Sequence, residues 1–197
     1  MISLASNFGN VELLEASKLL QQGKFAESKE SYSAALQTEP ENAEALYGLG
    51  IISQYEQNYA GARGYFEKVL TLHNDSLVVL NSHGIVATHL GDNQAAKQSF
   101  EKALSIDPDL VDVKKNLAVI YIDEQEYDRG IKVYKEILEH DPNDVDTLLT
   151  VAGLYYEIDD YESSAYLLEM VLKIEPENEA AKQGLAKVAD SRREIPS

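Results

Sequence analysis

The sequence predicts an all-α fold built as a solenoid of tandem antiparallel helix pairs, and three observations predict it. The first is a clock: Pro108, Pro142 and Pro176 are 34 residues apart, and the same step backwards meets Asn74 and then Pro40. The second appears when the chain is written as five repeats, 9–42, 43–76, 77–110, 111–144 and 145–178. Position 8 is then always small (Ala16, Gly50, Gly84, Ala118, Ala152), and so is position 20 (Ser28, Ala62, Ala96, Gly130, Ser164). The third is a pair of bulky positions. Tyr32, Phe66, Phe100, Tyr134 and Leu168 occupy position 24, and Leu36, Leu70, Leu104, Leu138 and Leu172 occupy position 28.

Each element follows from these columns. The small positions 8 and 20 fall on two successive helices and let them approach closely. Positions 24 and 28 are i, i+4 on the second helix and form one apolar stripe. Short polar turns separate the two helices: Gln22-Gly23-Lys24, Gln57-Asn58, Leu90-Gly91-Asp92, Gln125-Glu126 and Asp159-Asp160. The proline, which disfavours α geometry in the residue before it, ends the second helix. In "EILEHDPND" Pro142 does this, and Asp144 is placed to cap the next helix. One pair cannot bury its apolar face alone, so neighbours must stack to complete the core. Residues 179–193 read as a terminal capping helix, with Ala181, Leu185 and Val188 inward and Lys182, Gln183, Arg192 and Arg193 outward. An N-terminal extension over 1–8 and a tail over 194–197 complete the expected organisation of eleven helices and no strands.

Composition narrows the partners. The chain has 197 residues, 44% hydrophobic and 26% charged, with 17 Lys and Arg against 34 Asp and Glu and a net charge of −17. That field repels phosphate backbones and anionic lipid, so nucleic acid and membrane surfaces are poor partners and a protein with basic segments fits better. The absence of cysteine excludes disulfides and thiolate chemistry. No apolar run is long enough to insert in a membrane, and "MISLASNFGN" lacks the charged and apolar regions of a signal peptide, so the cytoplasm is the expected location.

No catalytic constellation emerges, so no enzyme activity and no cofactor or metal are expected. His73, His83, His89 and His140 lack the i, i+3 or i, i+4 spacing of a helix-borne metal site. His83 stands where other repeats carry Leu49, Leu117 and Val151, and is expected to point inward. "EHDPNDVD" lacks the central Gly and closing Glu of a calcium loop. Asn74-Asp75-Ser76 matches a glycosylation sequon with no supporting context.

The small residues at positions 8 and 20, the aromatic at 24 and the proline at 32 resemble the tetratricopeptide repeat family over about residues 9–178. The resemblance implies a right-handed superhelix whose first helices line a concave groove for a peptide or an amphipathic helix. Carried onto this chain, the groove positions are Leu13 in repeat 1; Tyr47, Ile51 and Tyr55 in repeat 2; and Asn81 and Ile85 in repeat 3. Repeat 4 gives Lys115, Asn116 and Val119, and repeat 5 gives Tyr156. Tyr47, Tyr55 and Asn116 stand out among them. Repeat 1 departs from the pattern, with Glu12 and Glu15 where apolar residues are usual, so a looser outer helix is expected there.

The carboxylate clamp of chaperone-binding members is absent. Val78, Asp112 and Asp146 occupy its basic positions, which argues against an Hsp70 or Hsp90 C-terminal tail as partner. The implied function is a protein–protein interaction scaffold. The alternative is a docking module of a larger enzyme, such as a glycosyl- or methyltransferase, with catalysis elsewhere. Self-association into a homo-oligomer through the solenoid ends remains open.

Overall fold

The structure, a computed structural model, describes residues 4–194, with side chains placed for residues 12–193. Among these residues there are eleven helices and no strand: α1 (Leu4–Gln21), α2 (Phe25–Thr38), α3 (Ala43–Tyr55), α4 (Tyr59–Leu72), α5 (Leu77–His89), α6 (Asn93–Ile106), α7 (Val111–Asp123), α8 (Tyr127–His140), α9 (Val145–Glu157), α10 (Tyr161–Ile174) and α11 (Glu179–Glu194). Residues 4–8, expected in an extension, belong to α1, and Glu194 belongs to α11 rather than a tail. Residues 1–3 and 195–197 lie outside the described residues.

Two compact bodies divide the chain inside α7, Met1–Val113 and Lys114–Ser197. In the N-terminal body α1 packs on α2, α3 on α4 and α5 on α6, and the pairs join through α2 with α3 and α4 with α5. In the C-terminal body α8 packs on α9, α9 on α10, and both α9 and α10 meet α11.

The turn inside each repeat is the same device five times. Gly23, Gln57, Gly91, Gln125 and Asp159 all have φ between 59 and 74°. Around each, two backbone bonds close the first helix, as in Asn58 N–H to Ser53 C=O at 2.8 Å with Gln57 N–H to Gln54 C=O at 3.0 Å. This is the Schellman closure, which satisfies carbonyls that a helix end otherwise leaves without partners. Only two of the five positions are glycine. The other three hold a left-handed conformation that L-residues adopt at a cost.

The turn between repeats is equally regular. Backbone N–H groups of Asn42, Ser76, Asp144 and Asn178 reach back three residues to Glu39, His73, Asp141 and Glu175. Asn74 therefore stands in a turn built like those of Pro40, Pro142 and Pro176. Six helices then begin on a side-chain cap: Asn42, Asn58, Asp92, Asp144, Asp160 and Asn178 each accept a backbone N–H three residues on, at 3.0–3.2 Å.

Asp144 carries more than its helix. Its Oδ1 accepts Thr147 N–H at 3.2 Å, and its Oδ2 accepts the Thr147 hydroxyl at 2.7 Å and Lys115 Nζ at 3.2 Å. Burial pushes this carboxyl up, but the Thr147 and Lys115 bonds outweigh burial and hold it below the ordinary carboxylate value. A depressed acid stabilises the fold above its unfolded pKa and loses that contribution as pH falls through the folded one. Asp144→Ala is expected to cost about 1–2 kcal/mol near neutral pH. In urea unfolding, the gap between wild type and variant should close as pH drops below about 4.

The core is a series of clusters along the stack. One gathers Ala16, Tyr32, Ala35, Ala45 and Leu49; the next Leu46, Ala62, Phe66, Val69 and Val79. In the C-terminal body Ala118, Tyr134, Ile137 and Val151 form one, and Leu148, Ala152, Leu168, Val171 and Val188 the other. Glu12 and Glu15 are exposed on α1, the first described helix, whereas Leu46, Leu80 and Leu148, at the position of Glu12 in later repeats, are buried. Their charge matches an uncovered face.

Candidate partner-binding site

The first helices of the repeats place the expected groove residues, and the two bodies treat them differently. In the N-terminal body a cleft of about 430 Å³ is lined by Tyr47, Val78, Asn81, Ser82 and the 109–113 segment. A second, of about 370 Å³, is lined by Ile51, Gln54, Tyr55, Tyr59, Ser82 and His89. The two share Ser82 and so adjoin. Tyr47, Ile51, Tyr55 and Asn81 are thereby brought to one face of α3 and α5.

Aromatic contacts set the walls. Tyr55 stacks on Phe25 with ring centroids 4.9 Å apart, yet remains 67% exposed. Tyr59 and His89 stack at 4.3 Å and 7° across α4 and α5. Tyr47 leans on Phe66 at 5.8 Å, so its ring is held from beneath while its edge stays open. Such rings need little further ordering to receive a ligand. Val78, 60% exposed, adds an aliphatic surface beside Tyr47. Ile85 is half-buried and lines neither cleft.

Leu13 is a correction. It is 7% exposed and belongs to the first core cluster, where Ala16, Ala35 and Ala45 leave room for its side chain. At the same position Tyr47, Asn81, Lys115 and Leu149 stay half-buried. Leu14, 58% exposed, is the residue that α1 presents instead.

In the C-terminal body the expected residues are dispersed. Tyr156 lines a cleft of about 290 Å³ with Leu149, Gly153, Leu168, Gly184 and Lys187, but its hydroxyl is engaged with Ser191 Oγ of α11 at 2.8 Å. Lys115 is tied to Asp144, Asn116 is half-buried, and Val119 is exposed; none of the three lines this cleft. On the second-helix side, Lys135, Leu138, Tyr155, Glu162 and Tyr166 line a further cleft of about 430 Å³.

Reading by position misses Tyr59 and Gln57 as lining and, in the 109–113 segment, all but Asp112. Position 17 is aromatic in four repeats (Phe25, Tyr59, Tyr127, Tyr161), a packing pattern, and Tyr59 is both packing and wall. The sequence signal for the 109–113 segment was its place at a repeat junction, beside the first helix of the preceding repeat. Among the described residues no helix is long and apolar enough to cross a membrane.

Comparison with known proteins agrees with this architecture. Profiles described as tetratricopeptide repeat match residues 13–76, 87–150 and 121–188, together well over half of the chain. No curated protein sequence matches significantly. A tetratricopeptide repeat protein from Parabacteroides merdae superposes with a TM-score of 0.81 at 20% identity, over 93% of this chain and 73% of that one. YrrB, described as a TPR protein with an unusual peptide-binding site, gives 0.75 at 19% identity over 87% and 89%. PilF of Pseudomonas aeruginosa gives 0.74 at 20% identity over 95% and 87%. At these identities the likeness shows the fold, one that supports protein-interaction scaffolds. The 34-residue clock, the stacked pairs and the matching profiles have one reading: the chain belongs to the tetratricopeptide repeat family.

Proposed function

We propose that this protein is a cytoplasmic scaffold that binds an apolar segment of a partner protein, a peptide or an amphipathic helix with basic flanks, on the first-helix face of its N-terminal body. The observation that carries the reading is the pair of adjoining clefts, where Tyr55 and Val78 are exposed and Tyr47, Ile51 and Asn81 supply lining. Exposed aromatic and aliphatic anchors with few charges between them are the composition of an interface core. Glu44 stands on α3, Asp112 lines the first cleft from the start of α7, and the chain carries −17 overall, which selects basic flanks over acidic ones.

Selection of peptides from a random library on the purified chain tests this. Recovered peptides should carry an apolar or aromatic pair flanked by Lys or Arg, and their affinity should fall as salt rises from about 0.05 to about 0.5 M. Recovery of acidic peptides, or affinity indifferent to salt, overturns the basic-flank assignment.

A further inference from the structure

The seam between α4 and α5 carries a polar cluster that the binding face does not use. His83, on α5, is 7% exposed, where Leu49, Leu117 and Val151 fill the same position in other repeats. Its Nδ1 lies 2.7 Å from Ser99 Oγ on α6. That hydroxyl donates its single hydrogen to Ala95 C=O at 3.0 Å, so toward His83 it accepts. The network therefore assigns the proton of the neutral imidazole to Nδ1. Nε2 is left as a bare acceptor, buried and without a hydrogen-bond partner.

Opposite Nε2, at 3.8 Å, stands Glu67 Oε1 of α4. This oxygen already accepts Arg63 Nε at 2.8 Å, and Arg63 Nη1 continues to Asp92 Oδ2 at 2.8 Å, at the cap of α6. The charged groups facing His83 are thus Glu67 and Arg63 from α4 and Asp92 from the start of α6. While His83 is neutral, Arg63 holds Glu67 and Asp92 together and ties α4 to α6. A proton on Nε2 places a second cation in competition for the same carboxylate oxygen, at the buried edge of an otherwise solvent-facing ion-pair chain.

We propose that the His83–Glu67–Arg63 cluster is an acid-sensitive clamp on the seam between repeats 2 and 3: protonation of His83 at Nε2 draws Glu67 Oε1 away from Arg63 and weakens the packing of α4 on α5 and the Arg63 tie to the α6 cap. Burial pushes the imidazole below the ordinary histidine value, against the pull of Glu67. The unfolded chain then takes up its proton first. Stability from this site is complete above about pH 6.5 and is lost as pH falls from there toward the folded value.

The test compares wild type with His83→Leu, the residue this position carries in repeats 2 and 4, by urea unfolding at about pH 7.5 and about pH 5. Wild type should lose more stability on acidification than the variant. Imidazole NMR on the wild-type chain should show the Nδ1–H tautomer at neutral pH and a His83 titration below the ordinary value. Glu67→Gln should move that titration lower still. Equal pH loss in both proteins, an Nε2–H tautomer, or His83 titrating at or above its ordinary value overturns the clamp. The NMR measurements need no variant to fold, and none of the readouts involves a bound partner.

Discussion

Phe100→Ala is expected to cost about 3–5 kcal/mol, enough to unfold the array around α5 and α6 well below the wild-type urea midpoint. Phe100 is fully buried, and its ring lies against the backbone of Gly84 so closely that a Cβ there would stand 2.4 Å from Cε1. Phe66 meets Gly50 at the same 2.4 Å, and Phe66→Ala should behave alike. An alanine at either position leaves a cavity the size of a ring between helices whose spacing the ring sets. A loss under about 1 kcal/mol shows that the pair closes over the gap.

These contacts explain a pairing inside the chain. Position 8 is glycine where position 24 is phenylalanine, at Gly50–Phe66 and Gly84–Phe100. It is alanine where position 24 is tyrosine or leucine, at Ala16–Tyr32, Ala118–Tyr134 and Ala152–Leu168. Gly84→Ala alone is therefore expected to destabilise by about 1–3 kcal/mol, because the ring it meets is buried and cannot swing aside. Adding Phe100→Leu, which copies Ala152–Leu168, should recover part of that loss. Strict additivity in this double-mutant cycle contradicts the account.

Much of this was legible in the sequence because a repeat tests itself. A column small in five repeats marks a close approach without any second sequence, and the 34-residue step fixed both helices of every pair. The left-handed residue of the inner turn was not legible: Gln57, Gln125 and Asp159 carry no glycine signal, and only the Schellman bonds show what they share with Gly23 and Gly91. Side-chain partners a repeat away were equally hidden. Lys115 is a groove position by sequence, yet Asp144, 29 residues on, holds it, and the same separation links Arg63 to Asp92. Leu13 failed for a related reason, since a position says which way a residue starts and its neighbours decide whether it stays exposed. His83 was read inward from its column alone, but Ser99 and Glu67 as its neighbours needed the packed structure.

The second large effect concerns binding. Tyr55 offers most of a ring to solvent while Phe25 holds it from behind, and Tyr47 is braced by Phe66. Braced aromatics of this kind dominate interface energies, and truncating both is expected to weaken a selected peptide by about tenfold or more. The supporting Phe25 and Phe66 keep their own packing, so Tyr47→Ala/Tyr55→Ala should stay folded. Its circular dichroism and urea midpoint check that directly.

The claim that the first-helix face of the N-terminal body is the docking surface is tested most directly by calorimetry. One selected peptide is titrated into wild type, into Tyr47→Ala/Tyr55→Ala, and into Tyr166→Ala, whose tyrosine is exposed on α10 at the second-helix cleft. The account predicts at least about a tenfold loss with the double variant and unchanged affinity with Tyr166→Ala. Unchanged affinity in the folded double variant, with loss at Tyr166→Ala, contradicts it and moves the partner to the second-helix cleft of the C-terminal body.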